Sequence, residues 1–264
     1  MQGNRIMEAR YRPTPEIQRR YALGRMVKKN RVKGQIISQA TWDRGFVDNW
    51  HQGSAIEITS PTTTARVQVL NNSIENAAQG IDIHADHVIV ANNIVTNAFI
   101  GMKAMHGSRH VVIVGNQFSR NDLWSIGLMP GAASHAARAS TDEHAGLSEN
   151  VDAGSIIANN IISEFGFGDA HWIWKSNGTP IRLDAGQKPD NPPLRDVIVQ
   201  GNIVYDTGRD LADPSAPRYA YAVQIAPEAK NVVFANNIFH PGRDGTANIP
   251  LPGLPNRTPP RQSP

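Results

Sequence analysis

The chain of 264 residues has no cysteine. Disulfide staples, thiolate nucleophiles and cysteine-held metals are therefore excluded, and no compartment is ruled out on redox grounds. No run reaches 18 apolar residues, the length that reads as a membrane-spanning helix, so no membrane partner is expected. No basic segment followed by an apolar stretch opens the chain, so no leader peptide is legible. What is present suits a soluble globular protein with ample core: 40% hydrophobic and 19% charged residues.

The net charge of +3 is unevenly spread. Residues 1–34 carry ten Lys/Arg and two Asp/Glu, or +8, which leaves 3 − 8 = −5 for the remainder. A basic arm attracts polyanions, although a solvated basic face is the plainer reading. Nucleic acid is disfavoured, because nothing in the arm reads bases and the acidic body repels phosphates.

The dominant feature is self-similarity. The stretch from Asn71 to Gly101, NNSIENAAQGIDIHADHVIVANNIVTNAFIG, says nearly the same thing twice at a spacing of 21 residues. With Val90 as marker, the equivalents read as Val69, Val114, Ile157, Val199 and Phe234, at steps of 21, 24, 43, 42 and 35 residues. Short steps are bare repeats and long ones carry insertions. Within each phrase apolar residues alternate, as in Ile81/Ile83 and Val88/Val90, which predicts short strands with one buried face. Asn and Gly punctuate them. No unit this small buries a face alone, but stacked copies share one core. The fold class is therefore all-β: a parallel β-solenoid of about seven coils with loop insertions. Asn71, Asn92, Asn116, Asn159 and Asn236, with Gly201 as exception, are expected to stack at one corner and bond along the axis.

At the start, Gln2-Gly3-Asn4 echoes Gln200-Gly201-Asn202, so the chain is expected to begin mid-coil, as a part of a longer solenoid would. Thr14-Pro15 and Gly24 then frame a short N-terminal helix over residues 15–23. The organisation is a basic segment with partial coil and helix at 1–34, the β-helix at 35–245, and a Pro-rich tail at 246–264.

The phrasing "NNIVTN" with "G-I-D-I" resembles the right-handed parallel β-helix repeat of the pectate-lyase-like superfamily, over about residues 50–240. That resemblance implies the right-handed coil. It also implies a function within a broad set: polysaccharide lyases, polygalacturonase-like hydrolases, alginate epimerases, phage tailspikes and adhesins. For the lyases it implies a Lys or Arg base and an acidic calcium site. The hydrolases' "NTD…DD…GHG" pattern is missing, which lowers the hydrolase reading. It further suggests a secreted, periplasmic or cell-surface location, and an oligomer, a trimer if spike-like, is possible.

Aligning the repeats predicts rows of outward side chains. Glu57, Asp82, Lys103, Gly127 and Gln224 form one column; Thr59, His84, Met105 and Met129 form a second, with His106 and Asp86 at its edge. Insertions near residues 130–154 and 176–194 follow the strands aligned with Ile81–Ile83, and those at 207–219 and 36–52 precede them. Walls on both sides make a groove. Glu57 and Asp82, on adjacent rungs about 5 Å apart, suit an acid pair of retaining-glycosidase spacing, or ligands for Ca²⁺. Lys103 or His84 is a candidate base for β-elimination, with His84 or His106 as proton carrier. A zinc site would need three or four of His84, His87, His106 and His110 on one wall, yet His87 and His110 stand apart from the His84 corner. Trp172 and Trp174 make a sugar-stacking surface if they face outward. Lys175, Arg182 and Lys188 are candidate contacts for acidic groups. The leading expectation is a polysaccharide as partner, acidic in character and cut by lyase-type elimination. Hydrolysis or epimerisation comes next, and a non-catalytic carbohydrate-binding or surface/spike solenoid is the competing class.

Overall fold

The computed structural model describes residues 1–7, 54–59, 64–136, 149–168, 178–186, 188–205 and 217–251. Their strands, numbered in chain order, lie in three parallel sheets. Sheet I stacks β2 (Ser54–Ile58), β5 (Gln79–Ile83), β8 (Ile100–Met105), β11 (Trp124–Met129), β14 (Thr179–Leu183), β17 (Tyr221–Ile225) and β20 (Gly245–Ala247). Sheet II stacks β3 (Gln68–Leu70), β6 (Ile89–Ala91), β9 (Val112–Val114), β12 (Ile156–Ala158), β15 (Arg195–Gln200) and β18 (Lys230–Ala235). Sheet III stacks β1 (Arg5–Met7), β4 (Ser73–Glu75), β7 (Ile94–Thr96), β10 (Gln117–Ser119), β13 (Ile161–Ser163), β16 (Ile203–Tyr205) and β19 (Ile238–Phe239). The chain visits sheets I, II and III in turn, once per coil. Among the described residues there is no helix. The expected helix at 15–23 lies outside them.

Three-residue strands point one residue to the axis and the longer strands of sheet I two, such as Ile81 and Ile83, and the inward columns are mostly aliphatic. Val69, Val90, Ile113, Ile157 and Val199 are fully buried on successive coils, with Phe234 closing the row. Each such side chain contributes about 1.5–3 kcal/mol by leaving water. The equivalent of Val90 is thus Ile113, not Val114. The steps become 113 − 90 = 23 and 157 − 113 = 44. Alternation could not set the phase inside the unbroken run Val111–Val112–Ile113–Val114; the position of Asn116 below Asn93 does.

The corner between sheets II and III explains the paired asparagines, and corrects which of the two does the bonding. Asn71, Asn92, Asn159 and Asn236 have φ of 54–56°, with Gly115 and Gly201 filling the same left-handed position. Asn tolerates that conformation better than other side chains do. The next residue carries the ladder. Asn4, Asn72, Asn93, Asn116, Asn160, Asn202 and Asn237 pass their side-chain amides from coil to coil at 2.9–3.0 Å. Of the expected ladder only Asn116 belongs to it. Asn4 continues the ladder beyond Asn72, where β1 pairs with β4.

At the other end, β20 pairs with β17, and Ile249 and Leu251 pack on the core. The solenoid therefore runs past the expected boundary at 245; residues 252–264 lie outside the described part.

The three sheets differ on their outer faces. Strands of sheets II and III leave Ile89, Ile94, Ile161, Ile198 and Ile238 exposed. In sheet I, every residue of β5 and β8 is buried, on both faces.

Candidate active site

Sheet I registers Glu57 with Asp82, Asp82 with Lys103, Lys103 with Gly127, Gly127 with Arg182, and Arg182 with Gln224. Successive rungs lie about 4.8 Å apart. The outward column expected from the repeats is present, with Arg182 filling its missing rung. Arg182 was expected in the insertion at 176–194; it lies instead in β14, a central strand that contains Pro180, a residue such strands seldom accept. Pro180 stands between the paired residues Thr179 and Ile181, and the strand continues through it. β14 thus stands within the long step from β13 to β15.

Trp124 belongs to the same face. A Cβ built on Gly127 would come within 3.0 Å of the indole Cε3, so the ring lies across the glycine beside Lys103 and Arg182. A glycine three residues beyond a tryptophan in one strand is the signal that pairs them.

Asp82 is the hub. It is 4% exposed and Lys103 8%. One carboxylate oxygen, Oδ2, is 3.3 Å from Lys103 Nζ and accepts from Ser54 Oγ at 3.4 Å. The other, Oδ1, is 2.9 Å from His84 Nε2. These two atoms approach closely but are not aligned as a hydrogen bond, and both are otherwise buried without a partner. Burial alone would raise the Asp82 pKa; the His84 contact and the Lys103 charge outweigh it and hold the carboxyl below the usual range.

His84 and His106 occupy neighbouring coils and meet edge to face, with ring centroids 4.5 Å apart. The base of the first insertion closes over them. The Ala133 N–H donates to His106 Nδ1 at 3.3 Å, and Gly131 sits so near that a Cβ would fall 2.1 Å from that nitrogen. A neutral His106 accepting at Nδ1 carries its proton on Nε2.

Asp152 was not anticipated. It is 2% exposed and accepts from Gly107 N–H (2.9 Å), Ser108 N–H (3.1 Å) and Ser134 Oγ (2.7 Å). Burial pushes it up to about 7 in spite of these donors and of the nearby His84. It pins both ends of the first insertion to the turn after β8. Only the true resumption point of the coil, hidden by the insertion, could have revealed it.

A family profile described as "Right handed beta helix region" matches residues 54–249. The chain belongs to the right-handed β-helix family. The pectate-lyase-like resemblance is compatible with this fold. No curated protein and no solved structure gives a match.

In this β-helix, Glu57 is exposed on its rung, whereas both Asp82 oxygens face other groups. The expected acid pair is therefore not built: the carboxylate that should share a proton with Glu57 faces an ammonium, a hydroxyl and an imidazole instead. The same donor set does not fit Ca²⁺, which seeks several oxygens and no competing cation. No step is routed through a metal at this position. Arg182 bonds Asp184 Oδ2 at 3.1 Å and also Gln224. Lys188 is exposed. Trp172, Trp174 and Lys175 lie outside the described residues. The four histidines divide into two pairs, His84/His106 on the groove and His87/His110 further round the turn.

Proposed function

We propose that the β-helix binds an acidic polysaccharide along the outer face of sheet I and cleaves it by β-elimination. The observation that carries this reading is the Asp82–His84 contact beside Lys103, on the same outward column as Arg182 and the Trp124 ring. Two cationic side chains two rungs apart, roughly 10 Å, match the spacing of charges along a polyuronate better than a single-ion site. The Trp124 face suits the C–H side of a pyranose.

The residues divide the work as follows. Lys103 and Arg182 bind uronate carboxylates and withdraw charge from the ring. Asp82, whose Oδ1 lies beside His84 Nε2, stabilises the imidazolium formed when His84 Nδ1 accepts the proton next to the carboxylate. The C–H electron pair forms the new C=C bond and the glycosidic C–O bond breaks. The departing oxygen takes a proton from water, and the proton held by His84 is then released to solvent, which restores the site. The products are a new reducing end and an unsaturated uronate. Hydrolysis needs two carboxyl groups acting together, and Glu57 and Asp82 are not so placed.

The test is a panel of acidic polysaccharides followed by the ultraviolet absorbance of unsaturated uronates. Turnover is expected on at least one polymer. His84→Ala is expected to lower kcat by about 10²–10⁴-fold. Full activity in this variant would remove His84 as the base. Binding without new absorbance or reducing ends on any polymer would move the reading to a carbohydrate-binding solenoid.

A further inference from the structure

Beyond the groove, the turn from sheet I to sheet II carries a second cluster that the elimination does not use. We infer that Asp86, His87 and His110 form a binding site for a divalent transition-metal ion of the Zn²⁺ or Ni²⁺ type. Asp86 Oδ1 lies 3.0 Å from His87 Nδ1 and 2.9 Å from His110 Nδ1, and one ligand atom from each residue falls within 4.8 Å of the others. Metal bonds of about 2.0–2.2 Å in a tetrahedron put neighbouring donors a little over 3 Å apart, so an ion fits after a small outward adjustment. Two imidazoles and one carboxylate are the donor set these borderline ions select. The histidine side chains are 57% and 51% exposed, which leaves the fourth position to water.

The backbone explains why the two rings converge. His87 and His110 have φ of 51° and 53° and occupy one corner on consecutive coils, in line with Arg66, Gly154, Asp196 and Asn231, which share the left-handed conformation. That conformation is unusual for histidine and turns both rings outward at the corner. The rings lie 4.3 Å apart, tilted by 35°. Below them, Gly154 leaves room for the His110 ring: a Cβ there would come within 2.9 Å of Cδ2. Arg109 pairs with the other Asp86 oxygen, Oδ2, at 3.0 Å, which fixes the carboxylate's orientation and leaves Oδ1 facing the two imidazoles. An ion held this way clips two coils together at the turn that also carries His84.

Asparagine already fills this corner at Asn231, so His87→Asn and His110→Asn remove the ligand and keep the left-handed turn. The full chain is titrated calorimetrically with Zn²⁺ and separately with Ni²⁺. Saturable binding is expected, weakened at least tenfold in either single variant and lost in the double variant, while His84→Ala binds as the parent does. Co²⁺ loaded into the parent is expected to give visible ligand-field bands that the double variant lacks. No saturable binding by the parent, or equal binding by the double variant, overturns the proposal. Loss of turnover in His84→Ala with metal binding intact separates this site from the groove.

Discussion

Replacing Asp82 by Asn keeps the shape of the side chain and removes its charge. Sequence reading alone treats Asp82 and Lys103 as a surface pair, for which such a change costs no more than about 1 kcal/mol. Their burial changes the expectation. Lys103 would be left as an ammonium at 8% exposure, with its carboxylate gone. Removing one partner of a buried pair costs about 3–5 kcal/mol, because the remaining charge stays desolvated. Lys103→Met should cost somewhat less, since Asp82 retains Ser54 and His84. The double variant removes both charges, so it should be no less stable than the worse single. A coupling energy of about 2–3 kcal/mol follows. Urea unfolding of the four proteins at constant slope measures it. Additivity within about 0.5 kcal/mol would show that water reaches the pair, and the low-dielectric picture of the groove would fall. Activity losses in Asp82 or Lys103 variants must accordingly be read against their stability; His84→Ala is the cleaner catalytic probe.

Two further perturbations test the scaffold. Asp152 is raised to about 7 in the folded protein, from an ordinary 3.8. The native state thus holds a proton that the unfolded chain releases between these values. Stability should therefore fall as pH rises from about 4 to about 7 and level off above. Asp82, held low, works the opposite way and only in more acidic solution, its contribution being lost as pH falls below the ordinary carboxylate range. Urea midpoints across pH should show the first slope, and Asp152→Asn should flatten it; an unchanged slope in that variant would reject the assignment. In the ladder, Asn116 accepts from the Asn93 backbone and side chain at 2.9 Å and donates to Val90 O at 2.9 Å. Asn116→Ala also removes its bond to Asn160 Oδ1, which keeps the Asn116 N–H; the Asn93 N–H, one Asn93 amide hydrogen and Val90 O lose this partner, at about 1–2 kcal/mol each, so a loss of about 3–6 kcal/mol is expected in thermal or urea unfolding. A loss below about 1 kcal/mol would mean that water substitutes for the amide.

The solenoid was legible because its period is written in residues with few alternatives: left-handed Asn, an amide beside it, and an aliphatic two positions earlier. The outward column was legible for the same reason, since Glu57, Asp82 and Lys103 sit in bare repeats of nearly constant length. Legibility failed where local chemistry departs from the repeat. Pro180 hid a central strand and with it the rung of Arg182. The apolar run at Val111–Val114 allowed a slip of one residue, which turns every side chain to the other face. Asp152 and Ser134 were hidden because insertions have no period. Burial was the largest miss: alternation says which side chains point outward, but not that those on sheet I are covered.

That cover is the strongest physical reason to place function on sheet I. The outward positions of sheet II are Ile89, Val112, Ile156, Ile198 and Val233 in continuous register, residues that a pleated surface favours by itself. Sheet I carries Asp, Lys, Gly, Arg and Gln at its corresponding rungs, among them the residue types strands accept least readily. Two of these, Asp82 and Lys103, are also removed from water, where aliphatic side chains of similar volume would be as stable or more so. A solenoid needs none of this to fold, since sheets II and III show the cheaper solution on the same coils. Violations of local preference that concentrate on one face mark a face kept for its chemistry rather than for its stability.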